Sequence, residues 1–435
     1  MRSPCIRRAS CRLAFFLVTG ILLSGANLPA YADGLTLEQA INLAVQGNRD
    51  LQANRYAVAQ ARARLTQAGL PSNPRLEIAT RNDRIFRNEG EYTTSIGLSQ
   101  QFPVAGRLAR QEDVARVDVA LALAEIRQAE LKLAGDVAAI FYRVLALNQQ
   151  IKLRERLIDV DQKLVQGTRN RFKAAEVSEL DVNAAQLDLQ RLDQERALMQ
   201  SQRITQLAQL NQLLGRTAAQ PWELDETLPI TEQLLPSLAE QQHDALTLRP
   251  DLRFALLNAD RARADQELAH AQRWEDWTVS VGLEQGRQII DGGPPQGTSR
   301  VMGLSLSIPL PLMNQNQGRI AEAVAATDQA SARIEALKLS IGNEVTSAFA
   351  EADRLRQVMS KYQRGMLPVS ERNVHLAQQG YSQGLVTIVE VVQAQRQQNE
   401  LNGAYLNTLD QYLQALSRLR TAAGTYLRHI NETDQ

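Results

Sequence analysis

The sequence is short of most of what marks a large enzyme. Its only two cysteines, Cys5 and Cys11, stand within the first dozen residues. The rest of the chain therefore holds no disulfide and no thiolate metal site. Aromatic residues make up 5% of the 435 positions and prolines number only 14, few for an all-β or mixed enzyme of this size. Lys plus Arg and Asp plus Glu are both 48, so bulk charge makes no case for a nucleic-acid partner. No interior stretch reaches the roughly 20 apolar residues of a spanning helix, which excludes a polytopic helical membrane protein. Walker A, GxGxxG-after-strand and HExxH motifs are missing. His243, His270, His375 and His429 are scattered without ligand spacing. No cofactor, no dedicated metal site and no enzymatic activity are expected.

What is abundant is Ala, Leu, Gln, Arg and Glu, the composition of long helices. At the start, Arg2, Arg7, Arg8 and Arg12 precede an apolar run over 13–23, followed by Ala30-Tyr31-Ala32. That is the layout of a secretory signal peptide cleaved after Ala32, and the run is short for a retained anchor. Neither cysteine follows the run, so a lipid-modified N-terminus is not expected.

The remainder is a duplication with a spacing near 200 residues. Asp50-Leu51 matches Asp251-Leu252 at an offset of 201. Gly97-Leu98-Ser99 and Pro103 match Gly303-Leu304-Ser305 and Pro309 at 206. Phe172, Val177, Ser178, Asp181 and Gln186 match Tyr381, Val386, Thr387, Glu390 and Gln395 at 209, as Gly215 matches Gly424. The expected organisation is a signal peptide over 1–32, a first repeat over 33–220, a connector over 221–236 and a second repeat over 237–430.

Within each repeat the expected order is helix, two strands, two helices. Thr36-x-x-Gln39 and Ser237-x-x-Glu240 read as capping boxes opening the first helix. Pro71 and Pro74 stop the first of these, and a Pro-free run then extends over 104–220. Val114, Val117 and Leu121, and later Leu180, Leu187 and Leu192, carry helical spacing along it. One helix over 104–168 would be roughly 95 Å long, which implies coiled-coil packing against neighbours. The second repeat has the same run over 312–427, broken only around Gly365 and Pro368.

Four stretches alternate with period two: about 75–83, 92–101, 277–288 and 299–308. Tyr92, Thr94, Ile96 and Leu98 alternate with Thr93, Ser95, Gly97 and Ser99, and Trp277, Val279, Val281 and Leu283 with Thr278, Ser280, Gly282 and Glu284. Each is about as long as a tilted membrane-crossing strand. The loops between them, 84–91 and 289–299, are polar. A soluble sheet would bury its apolar face on a helix. A sheet in lipid must instead close, because open edges leave N–H and C=O groups unsatisfied. Four strands cannot close, since small barrels need roughly eight. Such a chain must oligomerise, and the pattern does not choose between two copies and three. Trp274, Trp277 and Tyr92 are candidates for an aromatic girdle.

These features resemble the TolC-like outer-membrane factors. The likeness is most specific at Gly380-Tyr381-Ser382-Gln383-Gly384-Leu385-Val386-Thr387-Ile388-Val389-Glu390, the family's hairpin tip in the second repeat. Its counterpart runs from Arg171-Phe172-Lys173 through Glu176-Val177-Ser178 to Asp181-Val182. Gln101-Phe102-Pro103-Val104-Ala105-Gly106-Arg107 and Ser307-Ile308-Pro309-Leu310-Pro311, after the strands, look most like the cation-efflux, CzcC-like branch. The resemblance implies a mainly α fold with a small transmembrane β part. It implies a homotrimer with a twelve-stranded barrel in outer-membrane lipid and a long α-helical barrel in the periplasm. It further implies two partners, a periplasmic adaptor and an inner-membrane RND pump.

The resemblance also assigns roles at the tip. Glu390 falls on a gate carboxylate position and Tyr381 on the gate tyrosine. Gln393 stands where a second carboxylate is usual and Val386 where an arginine is. Asp181 is the first-repeat counterpart of Glu390 and is grouped with the gate. Val177, Ser178, Gly384, Leu385, Val386 and Thr387 are the implied adaptor-docking residues. Ser178 and Thr387 also read as N-caps. The expected function is that of an outer-membrane duct passing exported divalent metal cations. A multidrug or type I secretion duct, or a non-pore periplasmic adaptor, are the alternatives.

Overall fold

The computed structural model describes residues 34–83, 90–218, 222–225, 235–290, 292–294 and 296–428. The signal-peptide reading, most of the connector and the tip of the first strand hairpin lie outside the described residues.

Each half opens on two helices rather than the single one expected. The pairs are α1 (Leu37–Gly47) with α2 (Arg49–Ala68), and α5 (Leu238–Leu248) with α6 (Pro250–Ala271). Both capping boxes form: Thr36 with Gln39, and Ser237 with Glu240. The breaks have local causes. Asn48 turns extended, and its Oδ1 accepts the Leu51 N–H at 2.9 Å while its Nδ2 donates to the Leu213 carbonyl at 3.0 Å. Arg249 turns extended because Pro250 disfavours helical backbone in the residue before it.

Strands β1 (Arg75–Asn82) and β2 (Tyr92–Phe102) follow α2. Next comes α3 (Arg107–Lys173), an unbroken helix of 67 residues, roughly 100 Å long at 1.5 Å per residue. It returns through α4 (Glu179–Leu213). The second half gives β3 (Trp277–Arg287), β4 (Ser299–Ser307), α7 (Gln317–Lys361), α8 (Leu367–Ser382) and α9 (Ile388–Ala422). The break expected at Gly365 and Pro368 is not one. A π-turn, Tyr362–Met366, carries α7 straight into α8, and Pro368 sits in the first turn beyond it. Widening the helix by one hydrogen-bond step lets it pass a residue with no N–H to donate.

α3 is the axis of the molecule. It packs on α2 and α6 along one stretch and on α4 and α9 along another. Its apolar residues are therefore not confined to one stripe. The core is densest where α1, α3 and the ends of α4 and α9 meet, around Leu145, Leu210, Leu409 and Leu413. There the chain turns left-handed at Gly215, where a Cβ would lie 2.0 Å from the Gly47 carbonyl oxygen. The described part of the connector is tied to this core by a parallel bridge between Leu35 and Leu224.

The four strands form one antiparallel sheet in the order β1-β2-β3-β4. The β2–β3 pair joins the two repeats, with Leu98 opposite Val281. The register lines up Leu76, Leu98, Val281 and Leu304 across the sheet, and beside them Ile78, Ile96, Leu283 and Met302. The opposite face carries a rung of Gly97, Gly282 and Gly303 beside Glu77, and another of Ser99, Ser280 and Ser305.

Candidate functional site

Two regions carry the functional expectations: the sheet and the far end of the helical hairpins.

On the sheet, one observation separates the soluble reading from the lipid one. The apolar face is uncovered. Leu304 is 77% exposed and Met302 70%, with Leu76, Ile78 and Leu283 exposed beside them. Among the described residues the sheet's substantial contacts are strand to strand, and no helix lies along it. In water such a face would cost about 25 cal/mol for each Å² of apolar surface left wet. Lipid removes that cost. Phe102 and Trp277 face each other at the helix end of the apolar band. Tyr92 lies at the loop end, its hydroxyl 3.3 Å from the Thr298 hydroxyl. Aromatics thus mark both ends, with Phe102 an addition to the expected set. The outer edges of β1 and β4 have no partner strand among the described residues. Backbone groups in lipid must be paired, so this sheet is one segment of a larger closed one.

At the hairpin ends, the two repeats build the same turn from different residues. After α3 the chain turns left-handed at Ala175 (φ 61°), and after α8 at Gly384 (φ 74°). In both, a backbone N–H reaches back five residues, Glu176 to the Arg171 carbonyl at 2.9 Å and Leu385 to the Gly380 carbonyl at 2.8 Å. This is the six-to-one closure of a helix C-terminus. Ser178 then caps α4 and Thr387 caps α9, each in a reciprocal box. The Asp181 carboxylate accepts from the Ser178 N–H at 2.9 Å and its hydroxyl at 2.8 Å. Glu390 accepts from the Thr387 N–H at 2.7 Å and its hydroxyl at 3.1 Å.

The sequence-derived site residues separate accordingly. Asp181 and Gln393 come together on one groove between α4 and α9, with Ala185, Val389, Val392 and Arg396. Glu390 is exposed and lies outside that groove. Val386 packs its methyls on Gly380. Tyr381 does meet a guanidinium, but from the other hairpin. Arg171 lies 4.6 Å from its ring centroid, and its Nε also donates to Glu176 at 2.9 Å. Leu385 projects from the tip, 75% exposed, while Val177 is half-buried.

A second inter-repeat link lies further up the same helices, and the sequence reading did not single it out. Arg396 of α9 donates to both carboxylate oxygens of Asp188 on α4, at 3.1 and 3.0 Å. Arg191 stands 3.5 Å from the same carboxylate. Asp161 of α3 faces this group. Burial first, then the Asp188 charge, pushes its carboxyl up to about 6, against the pull of Arg191 and Arg396. Arg and Asp at these positions are ordinary helix-surface residues in sequence, so no local pattern reveals the link. Among the described residues no group of three or more His, Cys, Asp and Glu is placed to hold a metal ion.

The comparisons with known proteins agree with this architecture. The chain matches the family of outer membrane efflux proteins twice, over residues 40–216 and 242–425. The cobalt-zinc-cadmium resistance protein CzcC of Cupriavidus metallidurans is 23% identical over 399 residues, covering 90% of this chain and 91% of that protein. The pyoverdine export outer membrane protein OpmQ of Pseudomonas aeruginosa is 24% identical over 418 residues, 90% of this chain and 84% of its own. Among solved structures, CusC superposes with a TM-score of 0.73 at 19% identity, over 89% of this chain and 92% of that one. The outer membrane protein VceC of Vibrio cholerae superposes at 0.67 and 18% identity, over 89% of this chain and 96% of its own. An uncovered apolar sheet on a long helical body, repeated within one chain and matched over most of its length, places this protein in the outer membrane efflux protein family, as an outer-membrane channel.

Proposed function

We propose that this chain is the outer-membrane duct of a tripartite RND-type export system, passing divalent metal cations passively from the periplasm to the cell exterior. The open-edged sheet carries the reading. Three copies would supply twelve strands, closing every edge with the glycine and serine face inward. The helices support the same closure. Helices α4 and α8 carry exposed leucines, Leu180 and Leu187 on one and Leu376 on the other. These stripes suit a seam between neighbouring copies. The periplasmic adaptor and the inner-membrane pump are the partners that this reading implies.

At the tips, Val177 and Ser178 on one hairpin and Gly384, Leu385, Val386 and Thr387 on the other form the two turns proposed to meet the adaptor. Tyr381, Asp181, Gln393 and Glu390 are proposed as the gate. A ring of Glu390 carboxylates would favour cations over anions. Metal as cargo is supported by the similarity to CzcC along nearly the whole of both chains. The similarity to OpmQ favours a second reading, in which the cargo is an exported siderophore such as pyoverdine.

The test is growth of a deletion strain across cobalt, zinc, cadmium, nickel and copper and in iron-limited medium, with wild-type complementation. Sensitivity confined to one or two metals is expected. Normal metal tolerance with impaired siderophore release would move the cargo to the second reading.

A further inference from the structure

The sheet's lipid-side face does not end in neutral residues at its loop end. The last apolar rung is Ile78, Ile96, Leu283 and Met302. One rung beyond it stand Thr80, Thr94, Gln285 and Arg300, and one further Asn82, Tyr92 and Arg287. Side chains alternate along a strand, so Arg287 shares a face with Leu283 and Arg300 with Met302. The two arginines are diagonal neighbours on paired strands, close enough to address one anion.

Neither arginine meets a carboxylate among the described residues. Among the described residues no side-chain hydrogen bond or ion pair engages Arg287 or Arg300, and the Nε of Arg287 is enclosed without an acceptor. The described acids nearby each turn one oxygen to backbone donors. Asp83 accepts from the Gly90 and Glu91 N–H groups, and Glu91 from the Ile289 N–H. Both also belong to the opposite parity of their strands. In the outer membrane the strand loops lie at the end away from the helices, so this rung stands at the level of the outer-leaflet headgroups. A paired, unneutralised guanidinium site there fits phosphate, which arginine binds through two parallel N–H donors.

We propose that Arg287 and Arg300 form a binding site for the phosphate of an acidic phosphoglycolipid of the outer leaflet, with Tyr92 beside them and the apolar band below receiving its acyl chains. The site rests on the outer-membrane placement of the sheet, but not on the cargo or the partners.

The test uses the full-length protein extracted from outer membranes and carried into zwitterionic nanodiscs. Bis-phosphorylated lipid A and its dephosphorylated form are titrated in turn and read by native mass spectrometry. Wild type should retain the bis-phosphorylated lipid, and Arg287→Gln with Arg300→Gln should bind it about 10- to 30-fold more weakly, the loss of two cationic contributions at a lipid surface. Arg287→Lys with Arg300→Lys keeps the charge and should recover most of the loss. Equal binding by wild type and the Gln variant, or equal binding of the dephosphorylated lipid, would overturn the site. Complete displacement by millimolar inorganic phosphate would overturn the lipid as its occupant. Failure of wild type to be recovered as an outer-membrane oligomer would instead count against the placement itself.

Discussion

Two equivalent residues at the hairpin ends hold the same left-handed backbone at different cost. Gly384 adopts φ 74° freely, whereas Ala175 at φ 61° keeps a Cβ that this conformation disfavours. Nothing lies within 4 Å of where a Cβ on Gly384 would be, so substitution there tests the backbone alone. Gly384→Ala should destabilise the second hairpin by about 1 kcal/mol, and Ala175→Gly should stabilise the first by a smaller amount, because glycine also gains freedom when unfolded. Thermal unfolding of the two variants should move in opposite directions. Asp161 offers a second prediction at this scale. Its carboxyl is pushed from 3.8 up to about 6, so the folded chain binds more protons than the unfolded one between those values. Its ionisation therefore costs stability progressively from pH 4 to 6 and fully above pH 6, while below pH 4 the cost is absent. Asp161→Asn should raise the melting temperature at pH 7.5 and leave it unchanged at pH 3.5. A gain of equal size at both pH values would show that the effect is packing rather than charge.

At the scale of the element, the sheet makes a sharp distinction between neighbouring residues. Leu304 lies on the uncovered apolar face, and Ser305, the next residue, on the small polar one. Arginine at the middle of a lipid-facing strand costs about 2 to 4 kcal/mol, and much less on a lumen face. Leu304→Arg should therefore deplete the protein from outer-membrane fractions, while Ser305→Arg should leave its level near wild type. Equal loss of both would contradict the assignment of faces. This division was legible in the sequence because period-two alternation encodes it directly. So were the capping boxes at Thr36 and Ser237 and the N-caps at the hairpin ends. The split of each opening helix was harder to see. Asn48 caps α2 locally through Leu51, but its break is also held by a bond to Leu213, a partner 165 residues away that no local pattern shows. The π-turn at Tyr362–Met366 was also missed, because Gly and Pro look like a break whether or not the helix finds a way past them. The tip illustrates the same limit. Val386 is visibly not an arginine, but the guanidinium that meets Tyr381 comes from Arg171, on a different hairpin.

At the scale of the whole molecule, one chain is an incomplete object. Among the described residues it has a sheet with two open edges and an uncovered apolar face, and helices α4 and α8 that carry exposed leucines. Closure by identical copies pairs the edges and covers the leucines, and lipid covers the apolar face. Leu187→Lys on α4 and Leu376→Lys on α8 should each weaken assembly, because each places a charge in the proposed seam. Native gels of detergent extracts would show the loss as a shift toward single chains. The most direct test of closure is the mass of the particle extracted from outer membranes with mild detergent, measured by native mass spectrometry. A mass of three mature chains is expected, the number that yields a twelve-stranded barrel. A stable, membrane-derived single chain would contradict the account, because its sheet would then sit in lipid with both edges unpaired.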